Sequence, residues 1–248
     1  MKKTSRFLVV LSLAAAVSMT GAPAALAQEE VCPGLSLDDP EFEGGNLIVG
    51  TDDRDVLTGT AGFDVIIGKA GDDVIRALDG DDLMAGCAGD DLIFGGAGND
   101  AILGDDLAFF GDPDAVGGND RIDAGSGNDE VLAGPGDDWV NGGAGDDFLA
   151  LAQGDDAGYG GAGDDTIIGG LGDDLVLGQG GADSVFGGPN SDHINGGPGD
   201  DVIGGDLPTF FPPPPDVPLP PGDDVCQGAA GFDTSFGCEV NRSIEDVS

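Results

Sequence analysis

The sequence predicts an all-β repeat fold of very short strands joined by glycine-rich turns. Three observations carry this. An Asp recurs every nine residues, a Gly stands two places before nearly every such Asp, and a branched apolar residue usually stands two places after it. The Asp series runs Asp55, Asp64, Asp73, Asp82, Asp91 and Asp100. It resumes after a break with Asp120, Asp129, Asp138, Asp147, Asp156, Asp165, Asp174, Asp183, Asp192 and Asp201, and after a second break with Asp224 and Asp233. Written as nine-residue units with Asp at position six, the chain holds 18 units, and position four is Gly in all but two of them, which carry Asp53 and Asn190. An acidic low-complexity linker would share this composition but would not hold Asp in phase over so many units.

Each unit divides into six turn residues and three strand residues. Position eight is Leu57, Ile66, Ile75, Ile93, Ile102, Ile122, Val131, Val140, Leu149, Ile167, Val176, Val185, Ile194 and Ile203 in successive regular units. Alternation with period two turns this residue inward and its neighbours outward. Glycines in the turn permit positive φ and close backbone approach, so several carbonyl oxygens can converge beside the Asp carboxylate.

Composition excludes several functions. The 248 residues carry 48 acidic side chains against 8 basic ones, a net charge of −40, and Asp outnumbers Glu 41 to 7. Beyond residue 27 there are 5 basic and 48 acidic residues, a net charge of −43. Such a surface repels nucleic acid and anionic membranes. Gly and Asp are poor helix formers, which argues against a bundle. Self-repulsion of this size predicts disorder unless a cation relieves it.

Residues 1–27 have the pattern of a secretory signal peptide: a basic start at Lys2, Lys3 and Arg6, an apolar stretch from Phe7 to Met19, and the small-residue cleavage site Ala25-Leu26-Ala27. The stretch is too short for a membrane span, and nothing after residue 28 is apolar enough for one. A secreted, extracellular chain follows as the expectation. In that setting four cysteines favour disulfides over metal ligation. Of the three possible pairings, Cys32 with Cys87 and Cys226 with Cys238 is preferred, because each pair lies near one end of the chain.

Segments such as Gly95-Gly96-Ala97-Gly98-Asn99-Asp100 and Gly160-Gly161-Ala162-Gly163-Asp164-Asp165 match G-G-x-G-x-D-x-U-x, with U a large apolar residue. The chain therefore resembles the RTX-type, or hemolysin-type, calcium-binding nonapeptide repeat proteins, in particular small secreted bacterial ones made mostly of repeats. The resemblance implies a right-handed parallel β-roll (a β-solenoid) with two units per coil and Ca²⁺ between turns of units n and n+2. Asp73 would pair with Asp91, and Asp147 with Asp165. It implies metal-ligand roles for Asp64, Asp73, Asp82, Asp91, Asp100, Asp120, Asp129, Asp138, Asp147, Asp156, Asp165, Asp174, Asp183, Asp192 and Asp201. Ca²⁺ takes 6–8 oxygens, so stacked half-shells suit it, and roughly a dozen ions are expected. Metal binding and folding would then be one event.

The resulting organisation is a leader at 1–27, an N-terminal cap at 28–49, the roll at 50–237 and a tail at 238–248. Unit one, with Asp53 and Arg54 beside Asp55, is expected to cap the roll. Unit eleven, with Leu151-Ala152-Gln153 in its turn and Gly158 at the inward position, is expected to hold a weak site. Asp224 and Asp233 lie in units with Cys226 and Ser235 at the inward position, which suits a disulfide-closed cap. Two insertions, near 104–114 and 205–218, are read as entering after position nine. They bring Phe109, Phe110, Phe210 and Phe211 to one edge, roughly 24 Å apart at the spacing of stacked strands. These apolar tabs either fold back on the roll or serve self-association or an unknown partner.

No catalytic constellation stands out. His193 is the only histidine and falls at an outward strand position, and the in-phase Asp residues do not form the unequal cleft a paired-carboxylate hydrolase needs. A non-enzymatic calcium-binding protein with a structural, adhesive or interaction role is expected. The alternative is an extracellular polymer-acting enzyme with structural calcium. An ice- or crystal-binding face would need ranks of one side chain, whereas the outward positions are mixed (Trp139, Glu130, His193, Phe186).

Overall fold

The structure is a computed structural model that describes residues 32, 45–105, 117–205, 225–230, 234–236 and 240–242. The leader, Phe109, Phe110, Phe210, Phe211, Asp224, Asp233, Cys238 and the end of the tail lie outside the described residues. Every regular element among the described residues is a strand. They are β1 (Asn46–Val49), β2 (Val56–Thr58), β3 (Asp64–Ala70), β4 (Val74–Asp79), β5 (Leu83–Ala88), β6 (Leu92–Ala97), β7 (Ala101–Leu103), β8 (Arg121–Ser126), β9 (Glu130–Pro135), β10 (Trp139–Ala144), β11 (Phe148–Gln153), β12 (Ala157–Ala162), β13 (Thr166–Leu171), β14 (Leu175–Gly180), β15 (Ser184–Phe186), β16 (His193–Pro198), β17 (Val202–Gly204), β18 (Val225–Ala230), β19 (Thr234–Phe236) and β20 (Val240–Arg242).

Odd-numbered strands form one ten-stranded sheet and even-numbered strands a second, each in chain order. Every pairing is parallel, as β11 with β13 through Phe148↔Thr166, Leu149↔Ile167 and Ala150↔Ile168. A chain that alternates between two sheets and advances one rung per coil is a parallel β-solenoid, with two units per coil as expected. Most units share a register of 18 residues, for example Ile167↔Val185. Across the first insertion it becomes 29, as in Ile93↔Ile122. The roll also extends past the repeat at both ends. Asn46 of β1 stands opposite Asp64, and β20 continues the even sheet beside β18.

Position eight supplies the core between the sheets. Ile66, Ile75, Met84, Ile93, Ile102, Ile122, Val131, Val140, Leu149, Ile167, Val176, Val185, Ile194 and Ile203 are all fully buried in one continuous cluster. Position one also faces this cluster where it carries a side chain, at Ala77, Ala124, Ala133 and Leu151. Unit eleven is repaired in this way. A Cβ on Gly158 would lie 2.8 Å from Leu151 Cδ1, so the Leu side chain takes the space that glycine leaves.

A second, smaller cluster lies on the odd sheet: Cys32, Val65, Ile67, Ala85, Cys87, Ala101, Leu103 and Leu132. The Cys32–Cys87 disulfide is formed, with Cα atoms 5.9 Å apart. Cys226 is also disulfide-bonded. On the even sheet the outward residues stay mixed: the Arg121 guanidinium lies 3.8 Å from the Trp139 ring centroid, and Tyr159 lies 5.5 Å from that ring.

The first insertion enters two residues later than the periodicity suggested. Gly104 and Asp105 still follow the coil as positions one and two of unit seven. The Cys87 amide donates to the Gly104 carbonyl at 2.7 Å, the Gly104 amide to Leu132 at 2.8 Å, and the Asp105 amide to Ala133 at 2.9 Å. Departure after position nine would forfeit these bonds at buried groups, which is costly. Gly205 behaves alike, accepting from the Gly188 amide at 2.8 Å.

Candidate metal centre

The turns of each coil stack on those of the next, and position six is the hinge of that stacking. The Asp156 amide donates to Asp174 Oδ1 at 2.9 Å, and the Asp174 amide to Asp192 Oδ1 at 3.0 Å. The same bond links Asp73 to Asp91 at 2.8 Å and Asp147 to Asp165 at 2.9 Å. It bridges the first insertion from Asp91 to Asp120 at 2.9 Å. Two carboxylate ladders therefore run along the roll, one for each edge, from Asp55 to Asp192 and from Asp64 to Asp201. All fifteen position-six Asp residues from Asp64 to Asp201 lie in these ladders and are buried. The expected pairs n and n+2 are spatial neighbours.

In every one of them but Asp64, which begins its ladder, one carboxylate oxygen is used by this bond. The other, Oδ2, is buried and accepts no hydrogen bond in Asp73, Asp91, Asp120, Asp129, Asp138, Asp147, Asp156, Asp165, Asp174 and Asp183. A buried charged oxygen without a partner costs several kcal/mol, so a row of them requires compensation. Backbone carbonyls lie close by. A Cβ placed on Gly169 would be 2.5 Å from both Asp174 Oδ2 and the carbonyl oxygen of Gly187. That glycine leaves a small space bounded by a carboxylate and a carbonyl of the next coil.

Position four has its own requirement. Gly98 has φ +135°, and a Cβ there would strike the Gly80 carbonyl of the preceding coil. Asn190, in place of Gly, holds φ +92°, as its short polar side chain allows. Position two also takes positive φ, and Lys69, Leu78, Cys87, Ala152 and Gln179 accept it without being glycine.

Electrostatics agree with the unmet oxygen. Burial pushes the Asp91 carboxyl up to about 8, assisted by Asp120 and Asp73 and opposed by the Asp73 amide. Burial likewise raises Asp156 to about 8, Asp174 to about 7 and Asp165 to about 7. In a metal-free roll these groups resist ionisation at neutral pH, and a nearby cation reverses that preference. Unit eleven, despite its irregular turn, presents Asp156 in the common geometry, accepting from Asp138 at 2.7 Å.

Sequence reading passed over two features. Position five forms an outer ladder of opposite sense: the Asn99 amide donates to Asp81 Oδ1 at 3.0 Å, and the Asp173 amide to Asp155 Oδ1 at 2.9 Å. The Asp-Asp and Asn-Asp doublets were its signal. Asp105, a buried acid at position two of unit seven just before the first insertion, accepts from the Gly118 amide at 3.1 Å and adds negative charge near Asp138. His193 is exposed on β16.

Among the described residues, no three His, Cys, Asp or Glu side chains converge as a metal cage. The donor set is instead single carboxylates of adjacent coils plus backbone carbonyls, all hard oxygens. This suits Ca²⁺ and not zinc, which favours nitrogen and sulfur. Ions held between coils would meet the Oδ2 atoms and offset the charge of the ladders.

No helix among the described residues is long and apolar enough to cross a membrane. A search of curated protein sequences returned no match. The family model of the RTX calcium-binding nonapeptide repeat matches residues 49–84, 77–106, 114–149, 152–185 and 177–207. With more than half its length so matched, and with its turns stacked into carboxylate ladders at the repeat spacing, the chain belongs to the RTX calcium-binding repeat proteins.

Proposed function

We propose that this is a secreted calcium-binding scaffold that folds as it loads metal and has no catalytic activity of its own. The observation that carries the reading is the run of buried, unmet Asp Oδ2 atoms. Such an array is unstable alone and stable with divalent ions between its coils. Roughly a dozen Ca²⁺ ions match the number of stacked carboxylate pairs. Export supports the coupling: the leader pattern of residues 1–27 sends the chain to a compartment where disulfides form, and folding follows where calcium is available. The formed Cys32–Cys87 disulfide fits that setting. The role of the folded roll is structural, adhesive or interactive.

Far-UV circular dichroism during a calcium titration tests this, with magnesium as control. Strand signal rises with calcium and not with magnesium, which keeps its waters and demands octahedral geometry. Equal spectra with EDTA, magnesium and calcium would refute the coupling.

A further inference from the structure

The first two turns of the roll satisfy their carboxylates differently from the rest. Units one and two carry Thr51 and Thr60 at position two, where a glycine or a positive-φ residue stands in most later units. Neither Thr has positive φ. Each instead turns its amide and hydroxyl onto the Asp of its own unit. Thr51 N donates to Asp55 Oδ2 at 2.6 Å, and Thr51 Oγ1 donates to the same oxygen at 2.9 Å. Thr60 N donates to Asp64 Oδ2 at 2.6 Å, and Thr60 Oγ1 at 3.0 Å. Asp64 Oδ1 is met as well, by Asn46 Nδ2 at 2.7 Å. Asn46 of β1 is the register partner of Asp64, so the ladder starts with a neutral amide where a carboxylate would otherwise stand.

We infer that these two turns form a metal-independent cap, in which hydrogen bonds from Thr51, Thr60 and Asn46 take the place of calcium, and that the ion array begins only beyond them. An ionised carboxylate that accepts two or three hydrogen bonds is content without a cation. The same oxygen in Asp73, Asp91 and Asp165 accepts none. A second reinforcement lies nearby. The Cys32–Cys87 disulfide and the cluster of Val65, Ile67, Ala85 and Leu103 hold the first odd strands without metal. The first coils are therefore ordered before calcium arrives and offer β3 and β4 as edges on which later rungs pair. Without such a template the first coil pays the full closure entropy. Calcium-driven order then spreads from the N-terminal end. This deepens the calcium reading by fixing where the ions start.

Hydrogen exchange of the purified full chain in EDTA, read by mass spectrometry, tests the cap. Protection persists over residues 46–67 and is absent over 157–205. Equal exchange in both segments overturns the inference. Native mass spectrometry in calcium tests the boundary. The double variant Thr51→Gly/Thr60→Gly frees two carboxylates, gains about two ions over the wild type, and loses the protection at 46–67 in EDTA. Asp64→Asn leaves the ion count unchanged, whereas Asp165→Asn lowers it. An unchanged count in the double variant, or a loss of ions in Asp64→Asn, overturns the cap. A wild-type chain that binds no calcium at all sinks the functional reading instead, and the exchange experiment in EDTA still decides the cap.

Discussion

Replacing Asp174 by Asn should stabilise the metal-free chain and weaken the calcium-loaded one. Asp174 Oδ1 accepts from the Asp156 amide at 2.9 Å, and an Asn oxygen preserves that bond. Its Oδ2 is buried and unmet. Burial raises its pKa from 3.8 to about 7, a shift that corresponds to about 4 kcal/mol for holding the charge in the empty roll above neutral pH. The amide removes that cost and sets an NH₂ near the Gly187 carbonyl, which bounds the same small space. Allowing for an imperfect new bond, the gain is about 2–4 kcal/mol without calcium. With calcium the sign inverts, because Asp174 stands between Asp156 and Asp192 in its ladder and serves the sites on both sides. At pH 8 the first effect is read in EDTA as strand content by circular dichroism, higher in the variant than in the wild type, the second as the thermal midpoint in excess calcium, and native mass spectrometry counts the ions. A variant destabilised equally in both conditions, or one that keeps its full ion count, would refute the reasoning.

The pH dependence follows from the same carboxylates. Asp156, Asp165 and Asp174 have raised pKa values of about 8, 7 and 7, so the folded, metal-free roll binds protons more tightly than the unfolded chain. Their contribution is complete below about pH 4 and is lost as pH rises through about 7–8; metal-free strand content measured by circular dichroism should therefore rise on acidification, while apparent calcium affinity falls. Gly98→Ala places a Cβ against the Gly80 carbonyl at φ +135° and should cost about 2–4 kcal/mol in the calcium-loaded state; thermal unfolding measures it, and an unchanged midpoint would contradict the close stacking. Leu151→Ala should cost about 2–5 kcal/mol as a core truncation. Gly158→Val should also destabilise, whereas the double change Leu151→Ala/Gly158→Val restores the pairing of Ala124 with Val131 and of Ala133 with Val140 in units eight and nine and recovers most of the loss. Additive penalties in that cycle would show that the two residues do not share one space.

Much of the roll was legible in the sequence, for a physical reason. A solenoid places the same position of every unit in the same environment, so burial at position eight and stacking at position six imprint themselves as periodic Ile, Val and Asp. Asp73 and Asp91 could be paired across a coil from spacing and the resemblance together. Less legible was whatever depends on a side chain's reach. Position one faces the core, but glycine there hides the fact until Leu151 fills the space beside Gly158. Thr60 reads as a lapse in the glycine pattern, and only the turn conformation shows its hydroxyl on Asp64. The entry of the first insertion was misplaced because Gly104-Asp105 lacks the usual glycine pair, while the ladder is held by backbone groups that any residue supplies. The strands β1 and β20 escaped notice because Asn46 and Val240–Arg242 lie outside the Asp phase, yet backbone pairing needs no Asp.

The claim that divalent ions make so acidic a chain compact is tested most directly by small-angle scattering of the purified protein in EDTA and in millimolar calcium. The account predicts a compact, elongated particle with calcium and a much expanded chain in EDTA that keeps order only near its first coils. An identical compact profile after exhaustive chelation, with no metal left by elemental analysis, would contradict it.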